Sequence, residues 1–242
     1  MNSGVYTAVS GMRAQMDALD MLSNNLANLN TPGYKEERAF FSALRQELDD
    51  SDEVNSAVDR QKVVAGSSMN SADGSLTRTN RDLDIALTGE GFLAVETPQG
   101  VRYTRNGNLN LNVKGELSMP SGFPVLGDTG RPIGLGPGKI DINDDGEVFL
   151  NGTRVDRLKI VKFEESTTLL REGGSLMSVK DRTSEKPSEA KVRQGFLEQS
   201  NVNPINSVVS MVGIMRQFEA LQKSINTVMN DLNEKSIDKL GR

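Results

Sequence analysis

Apolar residues recur at helical spacing at both ends of this chain. Val5, Val9, Met12, Met16, Leu19, Leu22, Leu26 and Leu29 follow one another by steps of three or four, and so do Val208, Val212, Met215, Phe218, Leu221, Ile225, Val228 and Leu232. Such steps place each set on a single stripe of an α-helix. A helix with one apolar side must bury it, so the stripes are expected to pack on each other, on copies, or on other chains. The competing expectation is two ordinary helices packed on the rest of the fold.

The turn chemistry bounds both helices. Thr31-Pro32-Gly33-Tyr34 puts Pro and Gly at the two central positions of a type II turn, and Thr31, preceding Pro, is pushed out of helical angles. Asn24, Asn25, Asn28 and Asn30 crowd the last turns, where each either fixes register within an apolar seam or faces solvent and caps the end. The last helix is expected to open with Asn203 as N-cap and Pro204 at the first helical position. It runs to about Leu240, roughly 54 Å at 1.5 Å per residue.

Between the helices the period changes. Residues 35–75 show little periodicity; the acidic run Glu47, Asp49, Asp50, Asp52 and Glu53 reads as a solvated face. The segment is expected to be an extended connector with one short helix near Phe40 to Leu48. From residue 76 the pattern alternates: Leu83, Ile85 and Leu87 around Asp84 and Ala86, then Leu109, Leu111 and Val113 around Asn110 and Asn112. The pairs Asn106-Gly107, Asp145-Gly146 and Asn151-Gly152 tolerate the positive φ angles of tight hairpins. The fold class expected is α+β. Residues 1–33 and 203–242 form a discontinuous helical domain, 34–75 a connector, and 76–202 a β-rich domain of hairpins.

Composition narrows the chemistry. The 242 residues contain no Cys, His or Trp. That removes most zinc, copper and haem sites and the His- or Cys-based nucleophile systems. A net charge of −5 without a basic cluster is opposed to nucleic-acid binding. No run of 18 apolar residues is present, so no membrane span is expected. No basic segment leads into an apolar core at the N-terminus, so no cleaved signal peptide is expected.

Three local motifs invite chemical readings. Gly89-Glu90-Gly91-Phe92-Leu93-Ala94 matches a dinucleotide fingerprint, but a strand pattern follows where a helix is required. Asp141-Ile142-Asn143-Asp144-Asp145-Gly146 opens like a calcium loop, yet position twelve is Gly152 instead of a bidentate Glu. Gly134-Leu135-Gly136-Pro137-Gly138 lacks the Lys-Ser/Thr of a phosphate cradle. Bends and hairpin turns account for all three. No catalytic, metal-binding or cofactor-binding residue is assigned. A carboxylate-based hydrolase and a β-rich module binding cell-wall glycan stay as alternatives to an assembly protein.

The runs Ser23-Asn24-Asn25-Leu26-Ala27-Asn28 and Thr31-Pro32-Gly33-Tyr34-Lys35 resemble the N-terminal signature of the bacterial flagellar rod and hook protein family. Leu83-Asp84-Ile85-Ala86-Leu87, Gly89-Glu90-Gly91-Phe92 and Tyr103-Thr104-Arg105-Asn106-Gly107 are similar to the opening of that family's β domain. Leu197-Glu198-Gln199-Ser200-Asn201-Val202-Asn203-Pro204, then Arg216-Gln217-Phe218-Glu219, resemble its C-terminal segment. Chain length and the run Arg157-Leu158-Lys159-Ile160-Val161-Lys162-Phe163 are nearest its proximal-rod branch, with the distal-rod branch next.

The resemblance implies a structural subunit of the rod, with no enzymatic activity and no cofactor, whose termini order on assembly around a central channel. Its partners would be other rod proteins, copies of itself and the flagellar type III export apparatus. Its location would be the basal body within the periplasm, in place of the cytoplasm that composition alone indicates. The two apolar stripes would be its assembly interface, and Asn24, Asn25, Leu26, Ala27, Asn28, Thr31, Pro32, Gly33 and Tyr34 its family motif.

Overall fold

The computed structural model describes residues 2–46, 60–164, 169–173, 175–179 and 184–240. The chain divides into two compact units, one comprising Met1–Ala27, Glu37–Ser68 and Asn203–Arg242, the other Asn28–Glu36 and Met69–Val202. Two helices and a β-rich middle make the fold α+β.

The first unit holds α1 (Asn2–Ala27), α2 (Pro204–Leu240), β1 (Glu37–Gln46) and β2 (Arg60–Met69). At 37 residues, α2 is about 55 Å long. It starts as its sequence dictates: Asn203 Oδ1 accepts the N–H of Asn206 at 3.1 Å, a side-chain cap for a donor without an intrahelical acceptor. The helices pack on each other.

β1 and β2 form a two-stranded ribbon. Where a short helix is expected from Phe40 onward, the described residues are strand; Leu48 and the acidic run Glu47–Glu53 lie outside the described residues. The correction has a local cause. A Cβ on Gly66 would sit 2.3 Å from the Phe40 ring, so the ring fills the gap that glycine leaves across the ladder. The pairing overrides a weak helical preference.

The second unit contains β3 (Leu76–Arg78), β4 (Ile85–Thr88), β5 (Phe92–Thr97), β6 (Gly100–Thr104), β7 (Asn110–Leu111), β8 (Leu117–Ser118), β9 (Ile140–Ile142), β10 (Glu147–Leu150), β11 (Thr153–Arg157), β12 (Ile160–Lys162), β13 (Leu169–Arg171), β14 (Met177–Val179), β15 (Lys186–Pro187), β16 (Lys191–Gln194) and β17 (Phe196–Glu198). A six-stranded antiparallel sheet runs in the order β13-β14-β6-β5-β12-β15, a three-stranded one in the order β11-β10-β9, and β16-β4, β17-β3 and β7-β8 form pairs.

Central strand β5 separates two cores. Leu93 and Val95 join Ile85, Leu87, Leu109, Leu117, Ile133, Val148, Leu158 and Val192. Phe92 and Ala94 join Tyr103, Leu126, Val161 and Met177. Burial on both faces is why this segment reads as an unbroken apolar run.

The Gly pairs divide by role. Asn151 and Gly152 have φ of 52° and 82° and join β10 to β11 in a two-residue turn of the primed type. Gly146, with φ of 78°, closes the turn from β9 to β10, where the calcium-like motif lies. Asn106-Gly107 makes no hairpin, contrary to expectation. Asn106 Oδ1 accepts the N–H of Asn108, and Gly107 is needed for close approach, since a Cβ there would lie 1.8 Å from the Ile85 carbonyl oxygen. The Gly89–Gly91 bend leads into β5, a strand instead of a nucleotide-binding helix.

Glycine substitutions therefore separate packing from propensity. Gly107→Ala is expected to destabilise the chain by several kcal/mol through backbone collision. Gly213→Ala, on α2 with nothing within 4 Å of the new methyl, is expected to stabilise the helix by about 1 kcal/mol. Thermal unfolding followed at far- and near-ultraviolet wavelengths reads both.

Candidate functional site

The small residues of α1, not its large ones, supply its buried seam. Ala14 is 2% exposed and Ala18 0%, and a Cβ on Gly11 would be 3.8 Å from Leu221 Cδ1. Small side chains let one helix approach another closely, so larger ones on the partner fill the space. On α2 the half-buried positions are Met211, Ile214, Phe218, Leu221 and Ile225, at steps of three and four. Thr7, Ala8, Gly11, Gln15, Phe41, Gln217 and Leu221 line a groove within this unit.

The expected stripes are thus split. Met12, Leu19, Leu22, Leu29, Phe218, Leu221 and Ile225 are half-buried. Val9, Met16, Leu26, Val208, Val212, Met215 and Val228 are exposed by 36–55%. With Ile205 and Val209 they leave apolar surface on both helices uncovered within the chain. The side chains of Val5 and Leu232 lie outside the described residues. The 100° arc of a stripe is wide enough to contain both a seam and an outer face, and periodicity alone does not divide them.

Of the four asparagines near the end of α1, Asn25 is buried. Its amide nitrogen donates to the Glu37 carbonyl at 2.7 Å, and its oxygen accepts the Glu37 N–H at 3.0 Å. The side chain substitutes for a backbone partner and fastens the start of β1 to α1. Asn24, Ala27 and Asn30 are exposed; Asn28 is half-buried and accepts the Thr31 hydroxyl at 3.1 Å.

The type II turn has the expected form. Tyr34 N–H donates to the Thr31 carbonyl at 3.2 Å, and Gly33 takes φ of 68°. A Cβ on Gly33 would fall 2.3 Å from the Arg105 carbonyl carbon, so the turn lies directly on the β6–β7 connection. Thr31 and Pro32 are half-buried, Gly33 and Tyr34 buried. The Arg171 guanidinium stacks over the Tyr34 ring at 4.0 Å, a cation–π contact.

Beneath the turn sits a buried charge cluster. Lys35 Nζ donates to Glu198 Oε1 and to the Ala72 carbonyl, each at 2.7 Å. Glu198 Oε1 also accepts the Gly74 N–H at 2.8 Å, and Glu198 Oε2 faces Arg105 Nη1 at 3.6 Å. Arg105 Nη2 meets Asp73 Oδ1 at 3.0 Å. The side chains of Lys35, Arg105 and Glu198 are 1–2% exposed. Burial lowers the Lys35 pKa, opposed by its hydrogen bond to Glu198.

Backbone bonds close the same junction. Gly33 N–H donates to the Glu198 carbonyl at 2.8 Å, Asn201 N–H to the Tyr34 carbonyl at 3.3 Å, and Asn70 N–H to the Glu36 carbonyl at 2.8 Å. Asn201 accepts the Glu36 N–H at 2.6 Å and donates to the Asn70 and Ala72 carbonyls. Three segments that are remote in sequence, 31–36, 70–75 and 196–202, are knitted into one piece. Lys35, Arg105, Glu198 and Asn201 stood in the quoted motifs; their meeting, and the part of Asp73 and Arg171, were not legible from spacing.

Three family models match the chain: flagella basal body rod protein over residues 5–35, the flagellar hook protein FlgE/F/G D1 domain over 86–150, and the flagellar basal body rod FlgEFG protein C-terminal over 193–235. The flagellar basal-body rod protein FlgF of Caulobacter vibrioides is 31% identical across 100% of this chain and 99% of that protein. FlgF of Salmonella typhimurium is 32% identical across 97% and 96%. FlgG of Buchnera aphidicola subsp. Schizaphis graminum is 29% identical across 94% and 96%.

The cluster predicts a non-additive mutant cycle. Lys35→Met and Glu198→Gln each leave a buried group without its partner and are expected to destabilise by about 3 kcal/mol. The double variant is expected to lose clearly less than the sum, as measured by urea unfolding of all four proteins.

Proposed function

The chain belongs to the flagellar basal-body rod protein family and is a structural subunit of the flagellum, not an enzyme; we propose that it occupies the proximal rod and assembles through its terminal helices. The observation that carries this reading is the exposed apolar surface on α1 and α2, left over after the helices have packed on each other. Fully burying a Val or Met that is half exposed adds roughly 1 kcal/mol, half the value for a whole side chain. The seven exposed stripe residues therefore contribute several kcal/mol when neighbours cover them, as a coiled-coil-like packing would.

The proximal position is supported by chain length and by full-length similarity to proteins named FlgF, with the distal rod as the alternative for a chain that also aligns with FlgG. The helices would give a hollow shaft its axial stiffness, and the β-rich unit would resist torsion. Neighbours would be copies of itself and other rod proteins, with residues 1–33 and 203–242 as the joint assembly domain. No described helix is long and apolar enough to cross a membrane. Delivery by the type III export apparatus would place the subunit in the periplasmic part of the basal body. No cofactor or nucleic acid enters this role.

Two substitutions on one helix distinguish outer face from seam. Val212→Asp, on the exposed face, is expected to leave the monomer's circular dichroism and melting unchanged while abolishing swimming and the recovery of complete rods. Leu221→Asp, in the seam, is expected to lower helicity of the monomer itself. A Val212→Asp strain that swims normally would sink the assigned interface.

A further inference from the structure

The methionines of the chain fall into two groups. Met119 and Met177 lie in the two cores of the β-rich unit, 5% and 1% exposed. Met12, Met16, Met21, Met211, Met215 and Met229 lie on α1 and α2. Among the described residues the exposed methionines are Met16, Met215 and Met229, at 55%, 48% and 46%. Each sits among apolar residues that the helices leave uncovered. Met16 shares a helix face with Val9, Met215 follows Val208 and Val212 on one stripe, and Met229 adjoins the exposed Val228.

A thioether differs from the valines and leucines beside it in one respect that matters in water. Its sulfur is soft and carries a lone pair open to oxidants. A cysteine thiolate ordinarily reacts with peroxide first, and this chain has no Cys. Reactivity then follows exposure, and the three exposed sulfurs are where a peroxide meets the folded chain.

We infer that Met16, Met215 and Met229 form an oxidation-sensitive site on the assembly face, whose reactant is hydrogen peroxide or another hydroperoxide and whose product, the sulfoxide, keeps a folded chain out of the growing structure. The sulfur lone pair attacks one peroxide oxygen, and the O–O bond breaks as the S–O bond forms. With hydrogen peroxide, the departing hydroxide takes the proton from the transferred oxygen and leaves as water. Sulfur loses two electrons and the peroxide gains them.

The product is a strongly polar S=O group where an apolar side chain stood. In the single chain it faces water and accepts hydrogen bonds there, so the fold is unaffected. Under a neighbour it is a buried acceptor without a donor, and the contact bears its desolvation. The inference rests on the assembly reading above, since only a face that becomes covered turns this chemistry into a block. Coverage also shields chains already assembled, so the site acts before incorporation, and a sulfoxide reductase restores it. Burial spares Met119 and Met177, so oxidation at the helices leaves the β-rich unit intact.

Two measurements test it. The purified full chain is exposed to limiting hydrogen peroxide and its methionine peptides are followed by mass spectrometry. Sulfoxide is expected at Met16, Met215 and Met229 at least ten-fold faster than at Met119 and Met177, with an unchanged melting curve. Comparable rates at the core positions, or a lowered melting curve, overturn the inference. The second measurement is a competition in a swimming host that makes the unsubstituted chain together with a variant carrying Met16→Leu, Met215→Leu and Met229→Leu, so that oxidation of any other component affects both alike. Leucine keeps the volume and the apolar surface. Sublethal peroxide is expected to raise the ratio of variant to unsubstituted chain in isolated basal bodies several-fold over its value without peroxide, and an unmoved ratio overturns the inference. Where the leucine variant is itself excluded without peroxide, Met215→Gln takes its place. This polar mimic of the sulfoxide is expected to be incorporated several-fold less than the unsubstituted chain, and equal incorporation overturns the inference. Val212→Asp in the same competition separates the two readings. Its exclusion alongside an unmoved peroxide ratio removes the oxidation site alone, whereas its normal incorporation removes the assigned interface as well.

Discussion

The Lys35–Glu198 ion pair, sealed by Arg105 and Asp73, is the constraint on which the β-rich unit's organisation depends. Two charges taken out of water cost several kcal/mol each, and their attraction offsets this only where every remaining donor and acceptor is met. Here the condition is nearly satisfied by backbone groups from distant segments: the Ala72 carbonyl for Lys35 and the Gly74 N–H for Glu198. The pair therefore adds little net stability, but it penalises every arrangement in which one segment is missing. Glu36, Asn70 and Asn201, which flank it, sit close to the points where the chain passes from one unit to the other.

Glycine and turn geometry serve that same junction. Gly33 is required twice over, by the positive φ of its turn and by the Arg105 backbone against it. Gly74 is held under the Gln199 carbonyl, with 1.9 Å between that oxygen and where a Cβ would be. Neither position has space for a side chain, so the segments approach at backbone distance and the charged groups become buried. Sequence motifs that look like turn signals are here also packing signals.

Much of the local structure was legible in the chain. The type II turn at Thr31–Tyr34, the Asn203 cap with Pro204 after it, and the Asn151-Gly152 hairpin follow from single-residue stereochemistry, which acts over three or four residues; α1 itself stops earlier, at Ala27, and leaves Leu29 of the expected stripe outside the helix. What was not legible depends on contacts between remote residues. The Phe40 region is a strand because its ring covers Gly66. Gly107 makes no hairpin because Ile85 presses on it. The apolar stripes were read as whole interfaces, whereas Ala14, Ala18 and Gly11, invisible to an apolar count, set where α1 is buried. Asn25 was legible only as one of four equivalent candidates, since its partner is a backbone group twelve residues away.

The division of labour between large and small side chains bears on how such a subunit can be both stable and unfinished. The fully buried apolar positions of α1 are the small side chains Ala14 and Ala18, and Gly11 faces Leu221 of α2, so the tightest packing of α1 takes little apolar area from it. The large residues Val9, Met16 and Leu26 are then kept on the surface, where a monomeric protein gains nothing from them. Had the large residues filled the seam, the pair of helices would be more stable alone and would have less to offer a neighbour. On the proposed assembly role, stability of the single chain and affinity for the next one would draw on different residues of the same helix. Changes to the seam would then alter folding, and changes to the outer face would alter assembly.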